Sequence, residues 1–149
     1  MEIFEEFINK YNRNESLVKA TDLELNDLES EFNIVLPNDY KLFIKSYGDV
    51  WTPSILDIIV DNDLELNDIQ DFWSIEKIIY DKKNEWTSQL STDLIPFASD
   101  CMGSIFGFLT SNLKQKNENS SVYFFDHDLN TVEKISNSFT DWIYRFNKL

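Results

Sequence analysis

Leu28-Glu29-Ser30-Glu31-Phe32-Asn33-Ile34-Val35-Leu36-Pro37-Asn38-Asp39-Tyr40-Lys41-Leu42-Phe43-Ile44, running on to Tyr47-Gly48, is the stretch that decides the fold. It reads as the end of one helix, a corner, and a second helix. Leu25, Leu28 and Phe32 recur at helical spacing, so they share a face. Thr21 and Glu24 stand ahead of them in capping-box order, and Asn33 suits a left-handed stop. Pro37 forbids one continuous helix, because it disfavours helical backbone at the residue before it. Pro37 or Asn38 opens the next helix, with Tyr40, Phe43, Ile44 and Tyr47 inward and Gly48 as its terminator.

Working outward, Ile3, Phe4, Phe7, Ile8 and Tyr11 form the apolar stripe of an N-terminal helix, and polar Asn12 to Ser16 follow it. Beyond Gly48 the pattern changes. Ser54 to Val60, with Ile55, Leu56, Ile58, Ile59 and Val60, reads as a strand. Asp61 to Asp71 reads as an exposed loop or a solvated helical turn. Phe72 to Trp86 reads as a helix behind a Ser74 cap. Leu94 to Ala98 is a short strand in which Pro96 marks an edge or an end. Ser104 to Leu109 is a strand, Lys114 to Ser121 a hairpin loop, and Val122 to Phe125 and Thr131 to Ile135 a strand pair about an acidic turn. Ser138 caps a last helix with Phe139, Trp142, Ile143 and Phe146 on one face. The expected fold class is α+β: N-terminal helices, a central antiparallel β-sheet meander and a C-terminal helix packed on the sheet.

The 149 residues suit one domain, 1–149, and 42% apolar with 15% aromatic content is ample for a core. The single cysteine, Cys101, allows no internal disulfide, and the acidic opening Met1 to Glu6 is unlike a signal peptide's basic start. A cytoplasmic location is the expectation. The net charge of −14 opposes binding to nucleic acid or anionic membrane.

No residue pattern announces chemistry. The one histidine, His127, lies between Asp126 and Asp128. It reads as a turn residue among aspartates that favour turns, and no nucleophile stands beside it in sequence. Cys101 reads as a semi-buried structural thiol, since a thiolate is disfavoured on so negative a chain. Asp61, Asp63 and Glu65 alternate, as do Asp126, Asp128 and Asn130, yet neither run has the glycine and closing glutamate of a calcium loop. The expectation is therefore no enzyme, no cofactor, no metal and no small-molecule substrate. Of the four tryptophans, Trp51 and Trp73 flank turn-like or acidic segments and are read as partly exposed.

Three blocks together resemble the SMI1/KNR4 (SUKH) superfamily. The first is Leu28 to Gly48, with its Glu-bearing helix, Leu-Pro step, acidic-aromatic pair and closing Gly. The second is Leu94-Ile95-Pro96-Phe97-Ala98 leading to Gly103 and Phe106. The third is Val122 to Asp128 followed by Ser138-Phe139-Thr140-Asp141-Trp142-Ile143. Asp100-Cys101-Met102-Gly103-Ser104 departs from the glycine-rich acidic turn that members often carry there. Residues 51–90 match no block, as befits a variable region.

The resemblance implies a binding module. Many bacterial members are immunity proteins that neutralise a toxin, often a nuclease, and a nuclease that grips polyanions presents a basic surface. The expected partner is thus a basic protein toxin. The alternative within the same fold is a non-enzymatic regulatory adaptor. For the partner face the reading selects Asp61, Asp63, Glu65, Asp68 and Asp71 of the variable acidic segment, with Trp51 or Trp73 as apolar anchor.

Overall fold

The computed structural model describes residues 1–84, 93–116 and 118–149. Three helices open the chain: α1 (Glu2–Tyr11), α2 (Asp22–Phe32) and α3 (Asn38–Ser46). The Thr21/Glu24 capping box is formed, and Asn33 ends α2 in the left-handed conformation at φ 52°. Pro37 caps α3. Gly48 follows at φ +82°, where a Cβ would lie 2.0 Å from the Val18 carbonyl oxygen, so the return of the chain past α3 admits only glycine.

The next element corrects the sequence reading. Ser54–Asp61 is a helix, α4, and not a strand. Its run of isoleucines contains the helical pair Ile55 and Ile59, which are buried, while Val60 is 67% exposed. A short apolar run satisfies both periods, and here packing of the i, i+4 pair prevails over β-branched propensity. β1 (Asp71–Phe72) follows, then α5 (Ile75–Lys83) with the Ser74 hydroxyl accepting from the Lys77 amide. Phe72 and Trp73 therefore precede this helix, and Trp86 lies outside the described residues.

β2 (Leu94–Ser99), β3 (Ile105–Leu109), β4 (Val122–Asp126) and β5 (Thr131–Ser136) complete a sheet ordered β1-β2-β3-β4-β5, with every neighbouring pair antiparallel. The meander is as expected, except that α5 interrupts it after β1. A single turn of 3-10 helix, Thr110–Leu113, leads into the β3–β4 connection. Pro96 sits at a register shift in β2, beyond the reach of the two-residue β1, so its missing N–H costs no ladder bond there.

α6 (Phe139–Asn147) closes the fold, capped by the Ser138 hydroxyl, which accepts from the Asp141 amide. It packs against α1, and the Tyr11 hydroxyl donates to the Phe146 carbonyl at 2.5 Å. The core between helices and sheet is aromatic. Phe139 stands within 5.1–5.8 Å of Phe4, Tyr40, Phe43, Phe97 and Trp142, mostly edge-to-face. Each such pair adds about 1 kcal/mol beyond its buried area. Asp39, at the start of α3, accepts from the Thr140 amide and hydroxyl and so ties the corner helix to α6.

Candidate functional site

Two three-residue segments with the same pattern meet at the β1 edge of the sheet: Asp49-Val50-Trp51 and Asp71-Phe72-Trp73. The central residues, Val50 and Phe72, are buried in the core. Alternation along an extended chain then sends both Asp and both Trp to the opposite face. The segments run antiparallel, with the Phe72 amide donating to the Val50 carbonyl and the Thr52 amide to the Gln70 carbonyl, each at 2.8–2.9 Å. These bonds flank the bridge between Trp51 and Asp71 and make it a non-hydrogen-bonded pair. In such pairs the Cα atoms approach to about 4.5 Å and the side chains are closest. The same register sets Asp49 opposite Trp73. Each tryptophan thus faces an aspartate across the ribbon.

A groove of about 590 Å³ lies over this face, bounded by Asp49, Trp51, Asp71, Trp73, Lys77 and Ser99. The sheet edge beneath it is closed: the Arg13 amide donates to the Trp51 carbonyl, and the Trp51 amide donates to the Asn12 side chain. The groove therefore offers side chains and not free Trp51 backbone.

Its two halves differ. Trp73, expected to be partly exposed, is buried: its indole N–H donates to Ser99 Oγ at 3.2 Å, and the Lys77 ammonium covers its ring at 4.5 Å from the centroid. Asp49 opposite accepts from the Val18 amide at 2.7 Å. Trp51 is 42% exposed, as expected. Asp71 makes no side-chain hydrogen bond among the described residues. Burial pushes its carboxyl above the ordinary range, and the charge on Lys77 opposes that rise.

The acidic segment does not act as one face. Asp61 ends α4 and Asp63 takes a positive φ of 50°, both exposed. Glu65 borders a different groove, of about 250 Å³, beside Lys134 and Arg145. Asp68, expected at the partner face, is buried. Its carboxylate accepts from the Cys101 amide at 3.1 Å and meets Cys101 Sγ at 3.6 Å, pinning the segment to the β2–β3 turn. Only Asp71 of the five acids lies with the tryptophans. Asp49 and Lys77 were not selected from the sequence, although the repeated Asp-x-Trp spacing was there to find Asp49.

The β2–β3 turn gathers the remaining reactive groups. Cys101 is exposed, against the semi-buried expectation. Partial desolvation, with Asp68 and Asp100 beside it, holds its thiol above the ordinary pKa, so the thiolate is disfavoured. Ser104 Oγ lies 3.0 Å from His127 Nδ1, a pairing that no sequence neighbourhood announced. The same hydroxyl accepts from the His127 backbone amide at 3.4 Å, and Ser104 is 4% exposed. It fastens one turn to the next and is not presented to a substrate. Among the described residues no group of three His, Cys, Asp or Glu side chains could hold a metal ion, and no helix is long and apolar enough to cross a membrane.

The model of the SMI1 / KNR4 family (SUKH-1) matches residues 19–145, and the chain belongs to that family. No curated protein matches it.

Proposed function

We propose, from membership of the SMI1/KNR4 family, that this chain is an immunity protein that binds and neutralises a cognate toxin without catalysis. The match over residues 19–145 carries the reading, and the net charge of −14 supports a basic partner such as a nuclease-type toxin domain. A field of that sign accelerates encounter with a positive surface and repels nucleic acid, the competing polyanion. The reading puts the protein in the cytoplasm of the producing cell, where such a toxin would act.

The groove at the paired Asp-x-Trp segments is the proposed partner surface. It presents an exposed tryptophan, a residue type that anchors protein interfaces, beside a carboxylate that suits a basic partner. Asp61, Asp63 and Glu65 lie outside it and contribute long-range field.

The test is to identify a toxin domain encoded by an adjacent gene and co-express it with this chain, scored for growth. Rescue by this chain and a stable complex of the purified pair are the expected results. Continued killing with no complex on mixing would rule the function out. Association in that pair should slow about tenfold or more between roughly 0.05 and 0.5 M salt, because screening removes the steering.

A further inference from the structure

The two halves of the groove have the same composition and different occupancy. On one side the ring of Trp73 carries a cation, the Lys77 ammonium at 4.5 Å, with Asp49 across the ribbon. On the other side Trp51 faces Asp71 at the same register, its ring is exposed, and no cation of the described chain lies over it. The Lys77 charge reaches Asp71, but the ammonium itself lies over Trp73 and pairs with Asp81 at 3.5 Å, and it makes no ion pair with Asp71.

We infer that the Trp51–Asp71 half of the groove takes a lysine or arginine side chain of the protein partner, seated as Lys77 is seated on Trp73. The inference rests on the proposed binding function and names the chemistry that the partner must present. An aromatic face attracts a cation through its quadrupole, and a carboxylate alongside selects positive charge over an apolar group. Both groups are preorganised. The Trp51 backbone is fixed by Asn12 and Arg13, and Asp71 by pairing to Ser99 of β2. Asp71 is exposed and has no hydrogen-bond donor among the described residues, so a guanidinium arriving there supplies charge-assisted bonds that its carboxylate does not make within the described chain. Arginine fits better than lysine, because its plane can stack on indole while its edge meets the carboxylate.

Two measurements decide this. In the first, the indole N–H resonances of the full chain are followed by NMR during titration with an acetylated, amidated Gly-Arg-Gly peptide, with the citrulline peptide as uncharged control. The Trp51 resonance, assigned by Trp51→Phe, should shift selectively and saturably with arginine, weakly with citrulline, and much less in Asp71→Asn. Equal response of all the tryptophan indoles, or equal response to both peptides, overturns the inference whatever the toxin does. In the second, the toxin domain identified by the co-expression test is titrated against wild type, Trp51→Ala and Asp71→Asn. A loss of about 30-fold in each variant, with circular dichroism unchanged, is expected of an interface hot spot. Wild-type affinity in both variants overturns the inference and leaves the immunity reading standing. A toxin that wild type fails to bind removes the immunity reading alone, and the peptide titration then decides this site.

Discussion

Gly48 and Tyr40 show how single positions of one sequence block carry different kinds of constraint. At Gly48 the backbone is left-handed and a Cβ would collide with the carbonyl of Val18. Gly48→Ala should therefore lose more than about 2 kcal/mol in urea unfolding, combining dihedral strain with the displaced loop. A loss under about 0.5 kcal/mol would show that the loop yields freely. Tyr40 stands among Phe97, Phe108 and Phe139 with its hydroxyl buried and without a hydrogen-bond partner among the described residues. Burial also drives its ionisation well above the ordinary range. An unsatisfied buried hydroxyl costs free energy that its removal returns, so Tyr40→Phe should stabilise the protein by about 1 kcal/mol. Destabilisation by that amount would reveal a partner for the oxygen that the fold does not display.

Elements in this chain are held at their ends as much as along their faces. α2, α5 and α6 each begin with a side-chain cap, from Thr21, Ser74 and Ser138. The last is nearly buried at the junction with β5, where Ser136 Oγ donates to the Ser138 carbonyl. Ser138→Ala should cost about 1 kcal/mol, read from the urea midpoint at unchanged slope, and Ser138→Asp should recover most of it. Both variants matching wild type would mean that packing of Phe139 and Trp142 sets the start of α6 unaided. α4 makes the contrast. It has no side-chain cap, and its isoleucines favour strand, so the buried pair Ile55 and Ile59 is what makes it a helix.

For the whole molecule, negative charge opposes compactness, and under the proposed function it would speed encounter with a basic partner. Three carboxyls, the half-buried Asp39 and Asp100 and the exposed Asp71, have pKa values raised above 3.8, in each case chiefly by desolvation. Asp39 keeps this sign despite accepting from Thr140 and Tyr40, and Asp100 despite the amides of Met102 and Ser104. A group with a raised folded pKa binds its proton more tightly in the native state. Its contribution is fully present below the unfolded value and is lost as pH rises through the folded one. Stability should accordingly increase as pH falls from 7 to about 4.5, in the same direction as relief of the −14 self-repulsion. A urea midpoint that falls steadily over that range would contradict this account.

The periodicities, caps and corner of the chain were legible in its residues, because a capping box, a Leu-Pro step or an i, i+4 aromatic stripe acts within a few residues of itself. Thr21, Asn33, Pro37, Gly48 and Ser138 all do what local chemistry predicts, and all five lie within residues 19–145, which the family model matches. Tertiary structure decided what depends on partners far along the chain. Packing made Ser54–Asp61 a helix, buried Trp73 beneath Lys77 and turned Asp68 inward to Cys101. It also brought Asp49-Val50-Trp51 beside Asp71-Phe72-Trp73, through bonds between residues about twenty positions apart. Exposure and cross-strand pairing are properties of the assembled surface, and no local pattern specifies which of two equivalent tryptophans it will leave uncovered.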